Sequence, residues 1–232
     1  MTIAEKLQTI AENEQKVYGA GEQAEYDGFW DAFQQNGARE SYSYGFAGHG
    51  WTDKTFKPKH NIKPNIMANM FYASRIEGDL VEILESLGVS LDTSKATSIS
   101  NAFSTCRLSR IGIVDATGVT STLQTVFSYA EYLQTIDKLI LKADGSNVFN
   151  QAFVGAVSLA NLTIEGVIGS NGFNVQWSPL THDSLMSIVN ALQDKTADTS
   201  DTTWTITLGT NNLSKLTAEE KAIIERKGWV YA

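Results

Sequence analysis

Apolar positions along the chain follow two different periods, and the change falls near residue 66. Ile3, Leu7, Ile10, Glu14, Val17, Gly21 and Ala24 are spaced by alternating steps of four and three. Such a heptad stripe predicts an amphipathic helix. Thr2 and Glu5 have the spacing of a capping box at its start. The stripe is strongest from Ile3 to Val17; Glu14 is polar at the seam, and Gly19 and Gly21 allow a break. Tyr26, Phe29, Trp30 and Phe33 continue at helical spacing and fit packing over one end of a domain. A long N-terminal helix is therefore expected within residues 1–38. Two roles for Ile3, Leu7, Ile10 and Val17 stay open. They join copies of the chain in a parallel coiled coil, a trimer being favoured, or they pack on the chain's own domain.

Residues 39–65 change composition to Tyr, Phe, Trp, Gly and Lys. Lys54, Lys57, Lys59 and Lys63 lie with His60 in a positive strip. It either grips phosphate, glycan or an acidic partner, or is a loop-rich cap with solvated lysines. His49 and His60 are eleven residues apart with no third ligand nearby, so no zinc site is expected.

From residue 66 to 180 a spacing recurs: an apolar residue, a Phe four later, a small residue, then two apolar positions. Leu123, Phe127, Ala130, Leu133 and Ile136 fit it, and so do Phe149, Phe153, Ala156, Leu159 and Leu162. Ile99, Phe103, Cys106, Leu108 and Ile111 fit with one residue fewer, and Met67 with Phe71 is a degenerate first copy. The step from Phe103 to Phe127 is 24 residues, and that to Phe153 a further 26. The step from Phe71 to Phe103 is 32, which predicts an inserted helix around Gly78–Leu87. The spacing predicts a short helical segment carrying each Phe, then strands in RIGIV, IDKLIL and NLTIEG. No single copy can bury its apolar face, so the copies must stack. Cys106 stands in the small-residue slot, where it reads as a buried packing residue.

The runs Asn101–Cys106 and Gln151–Ala156 resemble the AF-x-x-C motif of BspA-like leucine-rich repeats, and Leu91–Ile99 resembles the run that leads into that family's units. The resemblance covers about residues 66–166. It implies an α/β fold: a short leucine-rich-repeat-like solenoid with parallel strands, a long helix before it and an α/β cap after it. The chain departs from the family in having few copies and in carrying Ala twice for Cys.

The cap is expected over residues 181–232. Thr181 can cap a helix through Leu192, TWTITL alternates as a strand, and Thr217 with Glu220 has capping-box spacing before a helix ending at Lys227–Gly228. Trp229–Tyr231 reads as extended.

Composition narrows the function classes. The 232 residues carry 26 acidic and 18 basic groups, a formal charge of −8, which disfavours a general nucleic-acid binder. The lone Cys106 excludes an intrachain disulfide and any CxxC motif. The first residues lack the n- and h-regions of a secretory signal, and no apolar run is long enough for a membrane span. GxSxG, GxGxxG and GxxxxGK[ST] are absent. Glu219–Glu220 and Glu82/Glu85 read as solvated helix faces, Ser184 as helix surface, and Asp144–Gly145 and Asp198–Asp201 as turns with too few ligands for calcium. No catalytic residue, metal or cofactor is expected.

MTIAEKLQTIAENEQKVY, FAGHGWTDKTFKPK, LTHDSLMSIVNALQD and LTAEEKAIIERKGW resemble segments of small proteins encoded among phage and prophage structural genes of gut Firmicutes. This implies a virion component (tail fibre, baseplate or head appendage) made in the host cytoplasm. Its partners would be other virion proteins and a host surface protein or glycan, without nucleic acid or membrane insertion. The alternative is a bacterial cell-surface adhesin or interaction module. In either case the expected binding face is the outward side of the strands, with Arg110, Lys138, Asn161, Thr163 and Glu165.

Overall fold

The four phenylalanines of the sequence pattern lie in one column. In the computed structural model, which describes residues 45–48, 51–52, 56–59 and 61–232, ring centroids are 5.4 Å apart for Phe71–Phe103, 5.8 Å for Phe103–Phe127 and 5.4 Å for Phe127–Phe153. Their planes differ by 22° at most, and all four are buried. Offset stacking adds about 0.5–1.5 kcal/mol per pair beyond area burial. Phe46 and Phe56 extend the aromatic core at the Phe71 end, and Phe173 packs 5.3 Å from Phe153 at the other.

The backbone that carries these rings is not helical, contrary to the expectation from spacing. It is a run of turns in which Asn101 and Thr105 have positive φ, as do Thr125 and Tyr129 in the next copy. Alternate amides bond back three residues: Ala102 to the Ile99 carbonyl and Ser104 to that of Asn101, each at 3.1 Å. The amides between them donate to the following copy, Asn101 to Gln124, Phe103 to Val126 and Thr105 to Ser128, at 2.9–3.0 Å. Thr125, Phe127 and Tyr129 repeat the arrangement onto Asn150, Ala152 and Val154. An α-helix would consume all these groups internally; here half of them join neighbouring copies. The Thr125 hydroxyl also donates to the Asn101 side chain. Gly155 has φ 74° and lies under the Tyr129 ring, where a Cβ would come within 2.6 Å of Cδ1.

After each Phe segment the chain extends. Strands β1 (Glu77–Asp79), β2 (Arg107–Asp115), β4 (Thr135–Ile140) and β6 (Asn161–Glu165) form one parallel sheet in the order β1-β2-β4-β6. β3 (Leu123–Gln124) and β5 (Phe149–Asn150) pair in a second parallel ladder. Register aligns Ile111, Ile136 and Leu162 in one buried row and Val114, Leu139 and Ile164 in another. The fold is thus mixed α/β with parallel strands. Cys106 is buried in its small-residue slot, where burial pushes its thiol pKa from 9.0 up to about 12.

The expected inserted helix is α1 (Leu80–Ser86), capped by the Asp79 carboxylate, which accepts the Val81 and Glu82 amides. Toward the C-terminus come α2 (His182–Ala191), capped by Thr181, β7 (Trp204–Ile206), α3 (Thr210–Leu213), α4 (Ala218–Arg226) and β8 (Trp229–Tyr231). Both bonds of the Thr217–Glu220 capping box are made, and β7 pairs with β8 in parallel. Ser184, read from sequence as helix surface, is instead buried between α2 and β6. The Lys227 ammonium donates to the Val189, Asn190 and Leu192 carbonyls at the end of α2.

The heptad positions Ile3, Leu7, Ile10 and Val17 lie outside the described residues, as do His49, Lys54 and His60.

Candidate binding face

The outward residues of the β1-β2-β4-β6 sheet are set by its irregular register. Simple alternation predicts every second residue outward, and β6 obeys it, with Leu162 and Ile164 buried and Asn161, Thr163 and Glu165 exposed. β2 and β4 do not. Leu108, Ile111 and Val114 are buried at every third position of β2, and Ile136 and Leu139 likewise in β4. Register shifts between Gly78 and Asp79 and between Ile136 and Leu139 accompany this. Pairs such as Gly112–Ile113 and Asp137–Lys138 therefore fall between successive buried residues.

All five residues expected on this face reach it, and the charged ones are tied across strands. Arg110 makes two bonds to Asp137, Nε to Oδ1 at 2.7 Å and Nη2 to Oδ2 at 2.8 Å, and a third to Asp79 at 3.0 Å. It thereby links β1, β2 and β4. Lys138 meets Glu165 at 2.6 Å. The Asn161 amide donates to the Thr135 hydroxyl at 3.3 Å, and Thr163 is exposed. One row further out, Arg107 pairs with Glu77 at 2.8 Å. The hydrogen bonds that Arg110 donates to Asp137 and then to Asp79 push its pKa above the ordinary value; the bond to Glu77 does the same for Arg107. Both guanidiniums stay charged and occupied.

Sequence reasoning missed Asp79, Asp137, Glu77 and Arg107, because their partners are 27 to 31 residues away. The usable signal was the repeat itself. Asp137 follows Ile136 as Gly112 follows Ile111, which sets its carboxylate diagonal to Arg110. Ile113 was also missed; it is 53% exposed amid these polar groups. Beside it, α1 and the outer surface of β2 enclose a groove of about 250 Å³.

Tyr129, Tyr132 and Trp177 are each 55–56% exposed, and the Arg107 guanidinium lies 6.0 Å from the Tyr132 ring centre. Elsewhere His182 Nε2 lies 2.9 Å from Glu220, which is also the capping-box acid, so both groups are engaged in joining α2 to α4. Among the described residues no group of three or more His, Cys, Asp or Glu is placed to hold a metal ion. No helix among them is long and apolar enough to cross a membrane.

The chain matches no protein-family model, and no curated protein or solved structure is significantly similar to it. The chemistry of the face therefore carries the functional argument. Its charged side chains are paired across adjacent strands, its backbone is fixed by parallel pairing, and its apolar interruption is at Ile113. Such a surface can recognise a partner by shape and hydrogen bonding with little reorganisation.

Proposed function

We propose that the protein is a non-enzymatic component of a phage virion, in a tail fibre, baseplate or head appendage, that binds a host surface protein or glycan. In this reading the parallel strands and the phenylalanine column make a short leucine-rich-repeat-like solenoid. Residues 181–232 close its end, and Ile3, Leu7, Ile10 and Val17 join copies of the chain. The observation that carries the binding role is Arg110, held by Asp79 and Asp137 across three parallel strands. A face braced in this way is presented ready-formed. The virion setting rests on the short runs at residues 1–18, 46–59, 180–194 and 216–229 that resemble phage structural proteins.

The test is fractionation of a lysogen carrying the gene after induction. Peptides of this chain are expected to co-sediment with gradient-purified particles. Recovery in the cell envelope alone would overturn the virion reading and favour the surface adhesin.

A further inference from the structure

We propose that the groove between α1 and β2 accepts an aliphatic side chain from a basic peptide segment of a partner protein. The inference rests on the outer sheet face being a binding surface and names what one end of it recognises. Gly112 lies on the floor of the contact between α1 and β2 and lines the groove. A Cβ there would lie 3.0 Å from Val81 Cγ2, so glycine lets α1 settle onto the strand. Leu84 anchors the helix in the core at 4% exposure, while Val81 and the exposed Ile113 line the open side. A cavity of about 250 Å³ is below the usual range for drug-sized ligands, roughly 300–1,000 Å³, and suits one side chain.

The charge around it selects the flanking residues of that segment. Glu85 and Asp137 line the groove, and none of its lining residues is Lys or Arg. Glu82 is exposed on the same helix. Asp137 shares the single guanidinium of Arg110 with Asp79. The nearby ammonium of Lys138 is held by Glu165, and that of Lys63 faces Asp92 at 3.6 Å. The rim therefore carries more carboxylates than cations, and a lysine or arginine beside the buried aliphatic group completes it.

The experiment titrates the full ¹⁵N-labelled chain with the capped peptide Gly-Lys-Leu-Lys-Gly and follows amide shifts. Movement is expected at Val81, Glu85, Gly112 and Ile113. Replacing both lysines by glutamate should abolish it, and salt should weaken it by screening. Ile113→Arg should remove binding, and Glu85→Lys should weaken it at least fivefold; both sites are exposed, and far-UV circular dichroism confirms that the variants are folded. Equal binding of the glutamate peptide would overturn the proposal. So would shifts confined to Tyr129, Tyr132 and Trp177, or no shifts at about 5 mM peptide, a concentration that detects even millimolar affinity. Shifts at Thr163 and Glu165 without the groove would overturn it too, yet leave the binding face standing. Particle co-sedimentation is independent of all these outcomes.

Discussion

The hydroxyl of Ser184 takes the place of a neighbouring strand's carbonyl: it accepts the Leu162 amide at 2.9 Å. The same hydroxyl lies 3.2 Å from the Ala160 carbonyl, to which it donates. One helical turn on, the Ser187 hydroxyl accepts the Ile164 amide at 2.8 Å. A parallel sheet leaves such groups open at its last strand, where another chain could pair with them. Here two serines of α2 satisfy them and end the sheet at β6.

Ser184→Ala leaves the buried Leu162 amide without its acceptor. An unsatisfied buried donor costs about 1–3 kcal/mol. Urea unfolding should show a loss of that size, with Ser187→Ala, at a partly buried site, smaller. Equal stability of wild type and Ser184→Ala would mean that water replaces the hydroxyl.

Phe127 stacks on both Phe103 and Phe153. Phe127→Ala should destabilise by roughly 3–5 kcal/mol through lost burial and the cavity left behind. Phe127→Leu should cost less, and equilibrium unfolding distinguishes the two.

Cys106 should be inert. At pH 8 its buried thiol should resist a disulfide reagent until urea is added, because the thiolate is the reactive form. The folded pKa lies above the unfolded one, so the neutral thiol contributes stability that is fully present below pH 9. That contribution falls as pH rises toward 12. Cys106→Ala, the residue of the later copies, should change stability by less than about 1.5 kcal/mol and remove this alkaline slope.

Acid should act in part at the C-terminal end. Ser200 holds the Asp198 carboxyl below its ordinary pKa, with further help from the Trp204 indole. The Thr217 amide, then His182, do the same for Glu220. Folded values below the unfolded ones mean that stability present above about pH 4 is lost as pH falls through the folded values. Denaturation curves from pH 6 to 2 should show this decline. Asp198→Asn with Glu220→Gln should make it shallower, the remainder coming from Asp92, Asp144 and Asp194, whose carboxyls are also held below their ordinary values.

How far the sequence could be read depended on the range of each interaction. Thr217 with Glu220, and Thr181 before α2, are contacts within one turn, and their spacing announces them. The strands of β2, β4 and β6 followed from the repeated apolar pairs. The segments carrying the phenylalanines misled, because a Leu123-to-Phe127 step suits a helical turn as well as two linked tight turns. What decides between them is the bond from Phe127 to Ala152, a residue in the next copy. The Arg110 bridge was hidden for the same reason, and so was the burial of Ser184, which faces a strand more than twenty residues earlier.

The amides that bond forward from copy to copy also restrict how this gene can change length. Phe103 donates to Val126, and Phe127 to Ala152, so each copy is both acceptor for the one before and donor to the one after. Deleting part of a copy would set its donors against the wrong carbonyls and turn its Phe out of the column. Removing or duplicating an entire copy restores every bond across the new junction. Natural length variants should therefore differ by whole increments of about 24–26 residues, the spacing of Phe103, Phe127 and Phe153.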